Sequence, residues 1–140
     1  ICGAMLGVNV KICSPNGFEV DAKILEKAKS VAEFGSNISI CNDPSKAVEQ
    51  ANVIYTDVWA SMGQEEEHLK RKEIFEKYKV DQKLIDLAGE EVIILHCLPA
   101  HRGEEITEEA FESRNSYIFE QAENRLHVQQ ALLAVQLGGL

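Results

Sequence analysis

A doubly wound parallel α/β fold is the class this sequence predicts, and three observations predict it. Short apolar runs alternate with stretches of helical periodicity along nearly the whole chain. One run, Val92-Ile93-Ile94-Leu95, has no polar alternation, as expected of a strand covered on both faces of a parallel sheet. Two runs end in residues capable of chemistry, Asp57 after one and His96-Cys97 after the other. Ligands of open α/β sheets bind beyond the carboxyl ends of the strands.

Residues 1–6 read as the end of a helix that Gly7 terminates. Val8, Val10 and Ile12 alternate with polar neighbours and predict a strand over 8–13. Asp21 caps a helix with apolar positions Ile24, Leu25, Ala28, Val31 and Ala32, which Gly35 ends. Residues 38–41 form a short strand, and Asp43-Pro44 starts a short helix with proline at its first position. The strand 53–56 delivers Asp57, followed by a loop containing Ser61, Met62 and Gly63. The next helix opens with Glu65, Glu66 and Glu67, which suit its dipole and pair with Lys70 and Arg71 on a solvated face. A second short helix spans 81–88, closed by Gly89, and the strand 92–96 follows. Beyond a polar loop at 100–103, Thr107 caps a short helix, 117–119 is extended, and a last helix runs over 121–137. Its far half, Ala131-Leu132-Leu133-Ala134-Val135, is apolar on every side and expects burial all round. One domain over 1–140 is the economical reading.

The composition narrows the partners. A net charge of −9 disfavours nucleic acid and suits a cationic small ligand. No apolar run is long enough to span a bilayer, and no basic-then-apolar leader is visible. Cys2, Cys13, Cys41 and Cys97 form no CxxC pair, so reduced, mostly buried thiols and a cytoplasmic compartment are expected. The chain opens on Ile1 inside an apolar stretch, which reads as a cut helix of a longer protein.

The rim residues define the chemistry. Asp57 offers a carboxylate to an ammonium group, and Ser61 offers a hydroxyl. The backbone of Ser61-Met62-Gly63, leading into a helix, offers N–H donors to a carboxylate. Together these describe a binder of an α-amino acid, although Asp57 and Ser61 serve equally well as turn and cap residues. His96 and Cys97 are adjacent on a strand and point to opposite sides, which argues against a nucleophile–base pair. His96, Cys97 and His101 are poorly spaced for a metal, and no metal is expected. Arg125, read as lying in the first turn of the last helix, sits where the dipole disfavours a cation. That placement points either to an anionic partner or to a simple surface ion pair.

Asp57-Val58-Trp59-Ala60-Ser61-Met62-Gly63 resembles the Asp-x-x-x-Ser-Met-Gly motif of ornithine carbamoyltransferases, and His96-Cys97-Leu98-Pro99 resembles their His-Cys-Leu-Pro motif. Glu123-Asn124-Arg125 resembles the segment opening their last helix. The order matches the family, and the resemblance covers essentially the whole chain. It implies a three-layer, Rossmann-like half of a two-domain enzyme, the ornithine-binding domain. The family's Ser-x-Arg-Thr-Arg loop for carbamoyl phosphate is not in this sequence. Asp57, Ser61, Met62, Cys97 and Leu98 would bind ornithine. Cys97, Leu98 and Arg125 would meet carbamoyl phosphate. Asp57, His96, Cys97 and Arg125 would serve catalysis, with His96 near the carbamoyl end. No cofactor is implied. The implied partners are L-ornithine, carbamoyl phosphate, the missing N-terminal domain and, for the whole protein, a homotrimer or its multiple. Residues 121–137 would return to that missing domain, so 1–6 and 121–137 are expected to drive self-association here. A related carbamoyltransferase acting on a different amine, or an amino-acid-binding module without catalysis, are the competing readings.

Overall fold

The computed structural model describes residues 1–60 and 65–138. Within it the chain gathers into two compact units, Ile1–Glu49 and Gln50–Leu140. Each is built on one pair of parallel strands, β1-β2 in the first and β3-β4 in the second. The parallel α/β class read from the sequence is what the elements form. The ladder, drawn from sequence as one sheet, is hydrogen-bonded as these two pairs.

In the first unit, α1 (Cys2–Met5) leads to β1 (Val10–Cys13), α2 (Ala22–Ser30), β2 (Ile38–Cys41) and α3 (Pro44–Val48). Gly7 takes φ +78°, and a Cβ there would sit 3.0 Å from the Cβ of Phe34, so the turn after α1 requires glycine. β1 starts two residues later than the sequence alternation indicated, because the Asn9 side chain caps the pair by accepting from Asn37 N (2.8 Å). The expected caps are in place: Asp21 accepts from Lys23 N, and Asp43 accepts from Ser45 N with Pro44 at the first helical position. Ala4, Ala28 and Ile38 are buried, with Val10, Ile12, Leu25 and Ala32 packed against them.

In the second unit, β3 (Val53–Thr56) is followed by α4 (Glu65–Phe75), a 3-10 turn (Glu76–Tyr78), α5 (Gln82–Ala88) and β4 (Ile93–His96). α6 (Glu108–Phe111) and α7 (Ile118–Gln136) complete it. Asp81 and Thr107 cap α5 and α6 as expected, accepting from Leu84 N and Ala110 N. Ile94, Ile106 and Ile118 are fully buried. Burial of such a side chain is worth about 1.5–3 kcal/mol. The ion pairs expected of Glu66 and Glu67 involve side chains outside the described residues.

Four expectations are corrected. Residues 117–119 are not extended: a single parallel bridge joins Ser116 to Ile94, and α7 already begins at Ile118. The cause is a long-range contact: Tyr117 N donates to Ile94 O (3.0 Å), and this one bond uses up the extended stretch. Arg125 therefore lies two turns into α7, and the dipole argument for its placement falls away. The strand pair of the second unit is not covered on both faces: Ile54, Ile94 and His96 are buried, whereas Val53 and Tyr55 on the opposite face are exposed. The cysteines are free but not mostly buried, because Cys2 and Cys97 are exposed and Cys13 and Cys41 half-buried. Along α7, Leu126, Val128, Leu132, Leu133 and Val135 are exposed, and among the described residues no helix is long and apolar enough to cross a membrane.

Buried Asn115 fixes where β4 begins, its amide donating to Glu90 O (2.8 Å) and Val92 O (2.7 Å). Asn115→Ala leaves these carbonyls without that donor and is expected to cost about 1–3 kcal/mol. Denaturant unfolding of the variant measures it; a change below ~0.5 kcal/mol contradicts the assignment.

Candidate functional site

The site grows out of the β3-β4 register. Thr56 pairs with His96, so the next residues, Asp57 and Cys97, leave the two parallel strands side by side. Donor-capable atoms of Asp57, His96 and Cys97 consequently lie within 4.8 Å of one another. Alternation sends His96 inward and Cys97 outward: His96 is 1% exposed, while Cys97 is exposed.

His96 is held from both sides. Its Nδ1 accepts from Leu98 N at 2.8 Å, and its Nε2 lies 3.0 Å from Oε1 of Glu105. A backbone amide can only donate, so Nδ1 carries no proton and Nε2–H donates to Glu105. Glu105, itself fully buried, also accepts from His101 N at 2.6 Å. Between these anchors the chain makes a sharp turn, with Leu98 at φ +57° and a cis peptide to Pro99. The left-handed conformation costs a non-glycine residue about 1–2 kcal/mol, which the Leu98–His96 hydrogen bond and the Glu105 contacts offset. With both ring nitrogens used inside the protein, the Asp57–His96–Cys97 cluster has no free imidazole for a metal.

Partial burial, then the hydrogen bond and negative charge of Asp57, push the Cys97 thiol above its ordinary pKa; contacts to its own backbone and to Tyr55 oppose this and do not win. Cys97 is thus a protonated thiol near neutral pH, a donor to Asp57 and a poor nucleophile. The second Asp57 interaction is local, Val58 N donating to Oδ1 at 2.7 Å.

Beside this edge lies a cleft of about 610 Å³, lined by Cys97, Leu98, Pro99, Ala100, Arg102, Phe111, Phe119, Ala122 and Arg125. α7 brings Arg125 to the same cleft as the turn after β4, so the adjacent candidates Cys97 and Leu98 meet the distant Arg125 there. No hydrogen bond or ion pair holds Arg125 among the described residues. Arg102, the other cation of the cleft, is engaged: it lies 4.0 Å over the Phe111 ring and pairs with Glu108 (2.5 Å) and Glu112 (2.8 Å). Ser61 and Met62 lie outside the described residues.

Sequence reasoning missed Glu105 and Arg102. Glu105 follows another glutamate in a polar loop, and nothing local distinguishes the buried acid from the solvated one. Arg102 carried a usable signal, a cation three residues after Pro99 with acids six and ten residues on. A further group joins α4 to the loop after β4, where His68 Nε2 (2.9 Å) and Lys72 Nζ (3.2 Å) reach the two oxygens of Glu104. Burial raises the Glu104 pKa, but the hydrogen bonds and charges of Lys72 and His68 outweigh it and hold the carboxyl below its ordinary value.

A parallel strand pair that sets an acid and a thiol side by side, next to a cleft with an unengaged arginine, has the placement expected of a small-molecule site in a protein of the α/β class. Residues 1–136 match the family model of the aspartate/ornithine carbamoyltransferase, Asp/Orn binding domain. An ornithine carbamoyltransferase from Prochlorococcus marinus is 63% identical over 140 residues, covering 100% of this chain and 44% of the relative. The solved ornithine carbamoyltransferase from Pyrococcus furiosus superposes with a TM-score of 0.91 at 47% identity, over 99% of this chain and 44% of that one. The anabolic ornithine carbamoyltransferase from Campylobacter jejuni gives 0.90 at 38% identity, over 99% and 46%. The chain belongs to the aspartate/ornithine carbamoyltransferase family and carries its Asp/Orn-binding domain. It spans a little under half the length of these relatives.

Asp57→Asn removes the charge that raises the Cys97 pKa, so the thiol should titrate lower. Alkylation of Cys97 by iodoacetamide at about pH 8, just below the ordinary thiol pKa of roughly 8.5, is expected to accelerate. A rate unchanged or slower, read by peptide mass spectrometry, contradicts the Asp57–Cys97 hydrogen bond.

Proposed function

We propose that this chain is the ornithine-binding half of an ornithine carbamoyltransferase, with residues 1–140 forming one functional domain of the whole protein. The observation that carries the reading is the juxtaposition of Asp57 and Cys97 at paired strand ends beside a cleft that Arg125 also lines. The reaction is attack of the δ-amine of L-ornithine on the carbonyl carbon of carbamoyl phosphate. A C–N bond forms, the amine gives up a proton, the C–O bond to phosphate breaks, and L-citrulline and phosphate leave.

The amine must be neutral to attack. With a lysine-like pKa near ~10.4, only about 0.1% is neutral near pH 7.4, a cost of roughly 4 kcal/mol. Asp57 attracts the ammonium form and steers its proton, while the Cys97 thiol and Leu98 orient the nitrogen. Ser61 and Met62 hold the amino-acid end. Arg125 stabilises charge on the tetrahedral species and the departing phosphate. His96 acts by fixing the turn that presents Cys97 and Leu98. Positioning two substrates in a closing cleft supplies most of the rate gain. The setting proposed is arginine biosynthesis, in keeping with the relative described as anabolic, and the compartment proposed is the cytoplasm.

The half-length match favours a second statement about this chain in isolation: it binds amino acid weakly and forms no citrulline, since it has no Ser-x-Arg-Thr-Arg loop for carbamoyl phosphate. The exposed apolar side of α7 is where the N-terminal domain packs in the whole protein, or where isolated chains self-associate through 1–6 and 121–137. The whole protein is a homotrimer or a multiple of one.

Two variants in the whole protein test the division of labour. Asp57→Asn should weaken ornithine use by more than ~1.5 kcal/mol, roughly tenfold or more in KM. Arg125→Ala should impair use of carbamoyl phosphate more than ornithine recognition. Steady-state kinetics with each substrate varied separates them. An unchanged ornithine KM and turnover in the first variant, or equal losses for both substrates in the second, contradicts the assignment.

A further inference from the structure

A second group of ligating side chains lies outside the cleft. His68 on α4, with His101 and Glu104 in the loop between β4 and α6, brings one donor atom each to within 4.8 Å of the others. The His68 and His101 rings meet edge to face, 6.3 Å between centroids. His68 Nε2 stands 2.9 Å from Glu104 Oε2. Two ligands bound at about 2.0–2.1 Å to a tetrahedral ion lie roughly 3.3 Å apart, so this pair is already close to an edge of such a polyhedron.

We propose that His68, His101 and Glu104 form a three-ligand site for a borderline divalent transition ion, of the class of zinc, cobalt or nickel. Two imidazoles and one carboxylate suit these ions and not magnesium or calcium, which favour oxygen ligands throughout. Lys72 Nζ reaches Oε1 of Glu104 (3.2 Å), whereas Oε2 is the oxygen that meets His68 Nε2 (2.9 Å), so the lysine does not occupy the oxygen on the His68 side. His101 is exposed, and Glu104 and His68 are only partly buried, so an ion reaches the site and keeps an open position for water. The partners come from two elements distant in sequence, separated by 36 residues between His68 and Glu104. An ion bound here fastens α4 to the turn that follows the His96–Leu98 edge. The site shares no residue with the cleft and is independent of the reaction proposed there.

Cobalt(II) is the probe, titrated into the untagged whole protein that carries this chain. Imidazole and carboxylate ligation is expected to give visible d–d absorption with no thiolate-to-cobalt charge-transfer band. His101→Ala is the principal variant, because its ring is exposed and its backbone N–H to Glu105 is retained. It should lose at least the roughly tenfold in cobalt affinity that even an outer-shell change typically costs, and His68→Ala should do the same. Cys97→Ser should leave affinity and spectrum unchanged. No cobalt binding to the unsubstituted protein, binding that survives His101→Ala and His68→Ala, or binding lost in Cys97→Ser overturns the proposal.

Discussion

The buried contact between His96 and Glu105 is the interaction on which the rest of the site depends. It lies at the carboxyl end of β4, with both side chains fully buried. One oxygen of Glu105 accepts both His96 Nε2–H and the His101 amide, so a single atom closes the loop from the strand end back to residue 101. The other ring nitrogen, Nδ1, accepts from the Leu98 amide. Glu105 Oε2 is buried with no hydrogen-bond partner among the described residues, at a cost of about 1–3 kcal/mol. The neighbouring packing of Ile94, Ile106 and Ile118 is large enough to carry that cost.

From this anchor the remaining geometry follows. A ring fixed inward at position 96 obliges position 97 to face outward, and parallel register puts it against Asp57. The turn through Leu98 and Pro99 then forms one wall of the cleft whose other side is α7 with Arg125. Burial is the first cause of the raised Cys97 pKa, and the same register adds to it by setting the Asp57 carboxylate beside the thiol. The thiol is a positioned hydrogen-bond donor because of where two strands end, and not because of any feature of its own segment.

Much of this was legible in the sequence, and the reasons differ by element. Short strands such as 38–41 and 53–56, and caps such as Asp21, Asp43, Asp81 and Thr107, were readable because they depend on neighbours within a few residues. The meeting of Asp57 with Cys97 was readable because parallel strands bring their carboxyl ends to one rim. The start of α7 was misread because Ile118 and Phe119 look like strand residues, and only the Tyr117–Ile94 hydrogen bond decides otherwise. Glu105 was invisible, since the His96 ring that its side chain holds and the Val80 amide that its carbonyl accepts from are brought there by tertiary packing. The division of contacts into two units, with exposed Val53 and Tyr55 beside buried Ile54, also lies beyond local pattern.

The most direct test of this arrangement is the tautomer of His96, read by nitrogen-15 NMR of its imidazole in the folded protein near neutral pH. The account predicts a proton on Nε2, donated to Glu105, and a bare Nδ1 accepting from Leu98. A proton on Nδ1, in either a neutral or a charged ring, would contradict it.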